Sequence, residues 1–398
     1  MLANKSRGFR LITYIFLFIV LTGSLSTYES DSKVYIAVVA YMLLFFLYVL
    51  FWKKIDIVRY PIIVSVIMLT VWIYGLFLGL FNENNTVSVL RNFAGMSVYL
   101  LVFPLLNTGI SNKKYMKLVI AVSEYALYVS VFTYIMLTYF NCRILFKIPI
   151  LNAFVGGGGI GGFVQYFCRE LILVAFAYYF YILLNKNTYI FKSIIVIVLA
   201  VYETLVVNDS GGDALAMAVL AIIIVLSQAH YLRPRTIVLC LLVIAGMICV
   251  DFYLGEGFLG RLFSAEDGGN MRRLEEIEYF KKNMTFWGYG LGKELGYAGA
   301  GKYNYGTEMI YLNIFHKFGI FAVMILACYL STCIKAIRYL SNNEERNPEK
   351  VIPIALMAYL IPSLANPMLF SVLAVVSHLL AMTIISREDE KIQNERMI

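Results

Sequence analysis

The chemically most suggestive residues of this chain are arginines in its polar connections. They lie in segments that the charge distribution assigns to the outside of a membrane, where positive residues are otherwise disfavoured. A guanidinium is planar, stays charged at any relevant pH and binds phosphate oxygens through two parallel hydrogen bonds. These arginines therefore favour a phosphate-bearing substrate. They are Arg91, Arg143, Arg169, Arg261, Arg272 and Arg273.

Other residues are of types that contact sugars. Asp209 and Asp213 flank a glycine turn, and each is either a solvated turn residue or a ligand for an acceptor sugar. The rings of Trp287 and Tyr289 can stack on a sugar, or they can anchor the chain at the level of the lipid headgroups.

The sequence contains no P-loop, no dinucleotide fingerprint and no cluster of metal ligands, and His230, His316 and His378 are far apart. We therefore expect neither a cofactor nor a metal. A substrate used outside the cell without a bound nucleotide must carry its own activation energy, as a sugar linked to polyprenyl pyrophosphate does. The expected chemistry is transfer from such a donor, with arginines at its pyrophosphate.

The elements that position these residues are long apolar segments. Hydrophobic residues make up 61% of the chain and charged residues 15%, and the mean hydropathy is +0.76. Runs of about 18 to 23 residues almost free of charge are long enough to cross a hydrocarbon core. They predict one integral-membrane domain over residues 1–398, an all-α polytopic membrane protein of about 12 transmembrane helices, between 11 and 13. The predicted spans are 9–28, 33–51, 60–81, 92–110, 118–140, 168–185, 191–207, 212–228, 236–254, 309–333, 351–366 and 368–385.

The charges of the loops orient these helices. The net charge is +8, and Lys and Arg concentrate in alternate short loops, whereas the intervening short loops carry acidic residues. This positive-inside bias predicts that both termini are cytoplasmic, and it accounts for the net charge without nucleic acid as a partner. The expected location is the cell inner membrane, with the lipid bilayer as surroundings.

Two connections, 141–170 and 255–308, are long and are predicted to be periplasmic. The first contains the glycine run 156–162, which fits a flexible loop, close helix packing or a re-entrant turn. It also contains Cys142 and Cys168, which can form a disulfide in an oxidising compartment.

The second connection contains a charged segment with apolar residues every three or four positions. That spacing predicts an amphipathic helix lying on the membrane surface, with Asn270 placed to cap it. The apolar positions are Met271, Leu274, Ile277, Phe280 and Met284.

Parts of the chain resemble the superfamily of O-antigen polymerases and O-antigen ligases. The segment RRLEEIEYFKKNMTFWGYGLG, 272–292, is similar to the family's arginine, short helix and G-x-G-x-G turn. The segment TEMIYLNIFHKFG, 307–319, is similar to its polar pair that opens a span ending in glycine. A weaker match is NDSGGDALAMAVLAI, 208–222. Where the ligases typically have histidine, this chain has Glu308, so the resemblance favours a polymerase.

The resemblance implies a polymerase that joins undecaprenyl-pyrophosphate-linked oligosaccharide repeat units at the periplasmic face, with a chain-length regulator protein as partner. Arg272 or Arg273 would bind the donor pyrophosphate and stabilise it as it leaves. Glu308 would take the proton of the attacking sugar hydroxyl. In the alternative interpretation, the arginines pair with neighbouring glutamates or lipid headgroups, and Glu308 is an ordinary interfacial acid.

The remaining candidates for substrate binding share only a predicted position on the external side. They are Arg143, Arg169, Arg261, Asp209, Asp213, Trp287 and Tyr289.

Two other functions stay open. A ligase of the same superfamily would transfer finished glycan to an acceptor. A flippase or transporter of lipid-linked oligosaccharide would bind its substrate near the membrane midplane, where the chain offers few charges beyond Glu124 and Glu203.

If Glu308 is the general base, Glu308→Gln should lower the rate of polymer formation on the order of 100- to 10,000-fold. Donor binding should stay nearly unchanged, because a general base acts only in the transition state. Purified protein given lipid-linked repeat units reports the rate as a ladder of products, and wild-type ladders from the variant would remove Glu308 from the mechanism.

Overall fold

The fold is built from helices. The computed structural model describes residues 2–23, 32–52, 58–107, 110–140, 169–185, 189–208, 210–228, 268–296, 309–341, 347–364, 369 and 371–397. These residues form helices and turns, and none of them belongs to a β-strand. The prediction of an all-α protein is therefore confirmed.

The α-helices of the described residues follow one another along the chain. They are α1 Leu2–Gly23, α2 Ser32–Trp52, α3 Arg59–Phe81, α4 Thr86–Ser97, α5 Val102–Leu106, α6 Asn112–Thr138, α7 Arg169–Asn185, α8 Ile190–Tyr202, α9 Gly211–Ser227, α10 Gly268–Asn283, α11 Ile310–Phe318, α12 Ala322–Ser341, α13 Ile352–Met357 and α14 Val372–Met397. Short 3-10 turns occupy Val98–Leu101, Gly319–Phe321, Pro348–Val351, Ala358–Leu360 and Pro362–Leu364, and a π-helical turn, Glu203–Val207, continues α8.

Many of these helices are apolar enough for a membrane. Among the described residues, five helical segments are long and apolar enough to cross one, namely Arg59–Phe81, Thr86–Leu106, Asn112–Met136, Ile190–Val207 and Ile310–Ser341. Shorter apolar helices cover Phe9–Leu21, Ile36–Leu50, Leu171–Asn185 and Gly211–Ser227. The chain is thus a helical protein suited to a membrane, whereas the number of spans and their orientation stay predictions.

Several predictions fall on residues outside the described ranges. They concern the predicted span 236–254, the glycine run at 156–162, the disulfide between Cys142 and Cys168, and most of the first long connection.

Three predicted spans begin several residues later than the helices that correspond to them, the first being 9–28, which corresponds to α1 and its start at Leu2. The span predicted at 92–110 corresponds to helical structure from Thr86, and the span predicted at 118–140 corresponds to α6, which begins at Asn112. The side chain of Asn85 accepts a hydrogen bond from the backbone N–H of Ser88 at 3.2 Å and so caps α4. Hydropathy places the start of a span at its first apolar run, whereas α4 begins earlier, at its polar cap.

The middle of the bundle contains a buried polar network around His378 of α14. Its Nδ1 lies 2.7 Å from the hydroxyl of Tyr99, and its Nε2 lies 2.8 Å from the hydroxyl of Thr332 on α12. All three side chains are fully buried. This histidine links α14 to α12 and to the 3-10 turn after α4. Because each ring nitrogen has a hydrogen-bond partner, its burial leaves neither nitrogen unpaired.

We expect Tyr99→Phe to lower the free energy of unfolding by about 1–3 kcal/mol, because Nδ1 of His378 then loses its hydrogen-bond partner while it stays buried. Denaturant or thermal unfolding of the purified protein in detergent measures this loss. Tyr189→Phe is the control, since Tyr189 is largely exposed. Equal stability of Tyr99→Phe and wild type would show that the network contributes nothing.

Candidate functional site

The helix that carries Arg272 and Arg273, α10, packs on α11. Its inner face presents Glu276, whose carboxylate accepts a hydrogen bond from the backbone N–H of Met309 at 2.8 Å. One turn later, the ring of Phe280 lies 5.4 Å from the ring of His316 on α11. Both Glu276 and Phe280 are buried, so this face of α10 belongs to the interior of the protein.

The spacing of the apolar residues of α10 predicts that they face the membrane surface, and the structure divides them between the outer and the inner side of the helix. The helix itself is confirmed, and Phe280 faces inwards, but Met271 is 53% exposed and Leu274 is 54% exposed. The buried acidic residue is stabilised by the N–H of Met309. The exposed apolar side chains are available to the membrane surface, and that contact stays a prediction.

The turn that follows α10 holds α11 in place. In this turn, Gly288–Gly292, the backbone N–H of Tyr289 donates to the carbonyl of His316 at 2.9 Å. The N–H of Gly290 donates to the carbonyl of Lys317 at 2.9 Å. Helix geometry leaves the last carbonyls of α11 without intrahelical partners, and the turn provides them.

The same turn is also fixed to α3. The N–H of Leu291 donates to the carbonyl of Gly75 at 2.8 Å, and the side-chain amide of Asn84 donates to the carbonyls of Tyr289 and Leu291, each at 2.8 Å. Three glycines of the turn have φ angles between 72° and 81°, a region that favours glycine. The backbones approach so closely that a Cβ on Gly290 would lie 2.1 Å from the backbone N of Gly79.

His316 lies under α10, in a group of aromatic rings. The centroid of its ring is 4.8 Å from that of Tyr289, 5.4 Å from that of Phe280 and 5.8 Å from that of Tyr279. His316 and Asn313, one turn earlier on α11, are both completely buried. Within the described residues, neither nitrogen of His316 and neither polar atom of the Asn313 side chain has a hydrogen-bond partner.

Lys317, the next residue of α11, is buried on a different side. Its ammonium group donates to the side-chain oxygen of Asn92 on α4 at 2.7 Å. The backbone carbonyl of Asn92 accepts from the indole N–H of Trp72 at 3.0 Å, which helps to fix α4 against α3. No carboxylate of the described part of the chain forms an ion pair with Lys317.

The structure brings only some of the predicted site residues together. Arg273 is half-buried on α10, and Tyr289 lies in the turn beside His316. Arg272 is also on α10. Arg169 is the first residue of α7, a helix that is distant in sequence from α10 and α11. Four predicted residues lie outside the described ranges, namely Arg143, Asp209, Arg261 and Glu308.

Trp287 is placed on the surface. Its side chain is 58% exposed and its ring packs at nearly a right angle on that of Phe286, with the centroids 4.9 Å apart. Its backbone carbonyl accepts from the hydroxyl of Tyr74 at 2.7 Å. Either predicted role, contact with a sugar or anchoring at the headgroups, is compatible with such a position.

The interpretation of Asp213 as a solvated turn residue is wrong. Its side chain is buried in the first turn of α9, and its backbone N–H donates to the capping hydroxyl of Ser210 at 3.4 Å. The neighbouring Gly212 lies close to another segment, since a Cβ there would be 2.9 Å from Cα of Pro362. A contact of Asp213 with sugar stays a prediction.

The acidic residues within apolar helices have partners. Glu124 accepts a hydrogen bond from the hydroxyl of Tyr179 and forms an ion pair with Lys192 at 2.8 Å. Glu203 begins the π-helical turn after α8 and accepts from the hydroxyl of Ser130 at 2.5 Å. These contacts fit a structural role for both residues.

Sequence reasoning missed the polar residues of α11 and the role of Glu276. Asn313 and His316 stand three positions apart in a mostly apolar segment. That spacing puts both residues on one side of a helix. That signal was present in the sequence. The burial of Glu276 was not, because it depends on the N–H of Met309, which only the fold brings near.

Gly290→Ala should lower the free energy of unfolding by more than about 1 kcal/mol, because the new Cβ collides with α3 and because a φ of 80° strains alanine. The matched control is Gly296→Ala, since a Cβ there would meet only a ring atom of Tyr279 at 3.8 Å. Thermal unfolding of both variants in detergent measures the difference. Equal midpoints would contradict the close approach of the turn to α3.

Within the described residues, no group of three or more His, Cys, Asp or Glu side chains is arranged to hold a metal ion. Comparison with protein-family models and with curated proteins finds no match to this chain.

Proposed function

We propose that this chain is a membrane-embedded glycosyltransferase that polymerises oligosaccharide repeat units. Its donor and acceptor are repeat units linked to undecaprenyl pyrophosphate, and the reaction takes place at the periplasmic face of the inner membrane. The observation that carries the proposal is the packing of the arginine-bearing helix α10 on the polar face of α11.

The first support is the placement of positive charge. Arg273 is half-buried on α10, and Arg272 precedes it on the same helix, whose side chains Met271 and Leu274 are exposed. A pyrophosphate attached to a lipid lies at the level of the headgroups. A half-buried guanidinium group such as that of Arg273 can bind its oxygens and stabilise the charge that develops as it leaves.

The second support is the polar character of the face under α10. Glu276 is bound to the N–H of Met309, the residue that follows Glu308 in the chain. In the proposed reaction, a hydroxyl of the acceptor sugar attacks the anomeric carbon of the donor. The bond from that carbon to the pyrophosphate oxygen breaks, a glycosidic bond forms, and the proton of the hydroxyl passes to Glu308.

The third support is rigidity. Transfer between two lipid-linked sugars requires that donor and acceptor be held in fixed positions. The turn Gly288–Gly292 ties the end of α11 to α3 through hydrogen bonds of backbone to backbone, so the polar face of α11 is part of a rigid framework. Such a polymerase would work with a chain-length regulator as its partner.

Arg272→Ala and Arg273→Ala should each abolish long surface polysaccharide in cells, because the donor pyrophosphate then lacks its cation. Loss of one such charge costs on the order of 100-fold in rate. Gel profiles measure the outcome: loss of a polymerase leaves single repeat units on the acceptor, loss of a ligase leaves none, and loss of a flippase leaves lipid-linked repeats on the cytoplasmic side.

The matched control is Lys281→Ala, which removes an exposed cation from the other end of the same helix. It should leave the profile unchanged. Full-length polysaccharide from both arginine variants, at normal protein levels, would remove the donor site from α10.

A further inference from the structure

The side chains of Asn313 and His316 are completely buried, and the described residues offer no hydrogen bond to their polar atoms. They stand three positions apart on α11, so both lie on one side of that helix, where the ring of His316 contacts α10. A buried polar group without a partner destabilises the folded state. Such groups are exceptions in native proteins that call for an explanation, and a functional role is one such explanation.

The contrast with His378 makes this point within the same chain. His378 is equally buried, yet hydroxyl groups of Tyr99 and Thr332 lie 2.7 Å and 2.8 Å from its two nitrogens. Packing in this protein is therefore able to satisfy a buried histidine. At His316 the surroundings are aromatic rings, which pack on the imidazole and leave its nitrogens free to bind another molecule.

The composition of these surroundings indicates the class of ligand. An amide and a neutral imidazole each supply a donor and an acceptor, as the hydroxyl groups of a sugar require. Tyr279, Phe280 and Tyr289 supply ring faces and edges for the C–H groups of a sugar ring. A few placed polar groups among aromatic side chains are typical of sites for small polar ligands.

Access to these groups requires a movement of α10. On its inner side, α10 is joined to α11 by the hydrogen bond from Met309 to Glu276 and by the ring contacts of His316. Its outer side carries exposed Met271 and Leu274. A displacement of α10 from α11 would exchange these contacts with α11 for contacts with a ligand.

We propose that Asn313 and His316 form a sugar-binding subsite, which α10 closes in this conformation. The ligand is the sugar nearest the pyrophosphate in a lipid-linked repeat unit. This inference rests on the proposed function for the identity of the ligand, and on the unpaired polar atoms for the existence of the site.

The test compares the stability of the free protein with its binding of two lipids. The variants are Asn313→Leu and His316→Phe, which keep the approximate volume and remove the polar atoms, and His316→Gln, which keeps a donor and an acceptor. The probes are lipid-linked repeat units extracted from cells that lack this protein, and undecaprenyl pyrophosphate without sugar. Binding is measured on full-length protein in nanodiscs, and unfolding is followed by its thermal midpoint.

We expect the apolar variants to unfold at the wild-type temperature or about 2 °C above it, since an unpaired polar group has been removed. Their affinity for the sugar-bearing lipid should fall roughly 5- to 100-fold. Their affinity for the sugar-free lipid should stay unchanged, and His316→Gln should retain intermediate affinity for the sugar-bearing lipid.

The matched control is Tyr311→Phe on the same helix, which removes a satisfied hydrogen bond from the Tyr311 hydroxyl to the carbonyl of Leu360 at 2.7 Å. It should lower the thermal midpoint and leave both affinities unchanged. Wild-type affinity of the apolar variants for the sugar-bearing lipid would overturn the inference. A lower thermal midpoint together with lower affinity for both lipids would also overturn it, because that result indicates a structural role.

The same measurements separate this inference from the proposed function. If the apolar variants lose affinity for the sugar-bearing lipid alone but wild-type protein forms no polymer, the proposed reaction is wrong and the subsite stands. If polymer forms and the apolar variants bind normally, the reaction stands and the subsite is wrong. Equal wild-type affinity for both lipids would overturn the subsite alone.

Discussion

The close contact of backbones where the turn Gly288–Gly292 enters between α3 and α11 is the constraint on which the candidate site depends. A Cβ on Gly79 would lie 2.4 Å from the carbonyl oxygen of Leu291, so the contact exists only because glycines meet there. The turn can then donate two N–H groups to the last carbonyls of α11. In apolar surroundings no water is present to pair with those carbonyls, so the turn makes it possible for α11 to end there and for the chain to continue into α12.

Fixing α11 in this way determines which of its polar groups find partners. Lys317 is directed towards α4, where Asn92 receives its hydrogen bond. His316 is directed towards α10, whose inner face offers aromatic rings and a carboxylate already bound to Met309. The lysine of this short helix thus helps to hold the framework, whereas the side chains of Asn313 and His316 have no hydrogen-bond partner among the described residues.

Much of the helical framework could be predicted from the sequence, because apolar runs and caps act locally. The turn after α10 could also be predicted, since alternating glycines require a special backbone. The inner face of α10 could not, because hydropathy compares each side chain with bulk water or bulk lipid. The carboxylate of Glu276 lies in neither medium, because it is buried and accepts a hydrogen bond from the backbone N–H of Met309, just before α11. Hydropathy equally gives no sign that the side chain of Asp213 is buried, because its burial depends on how α9 packs in the fold.

Part of α10 has the reverse of the polarity usual in a surface helix of a water-soluble protein, with Glu276 inside and Met271 and Leu274 outside, whereas Phe280 is inside and Lys281 outside as usual. This reversal is unfavourable in water, but it fits a helix at the edge of a bilayer, where apolar side chains meet acyl chains. A lipid-linked sugar has the same division, with an apolar chain that stays in the membrane and a polar head that leaves it. On the proposed function, a helix of this polarity can contact both parts of the substrate at once. The chain of the lipid then runs along the outer side of α10, while the pyrophosphate and the first sugar reach its arginines and the polar face of α11.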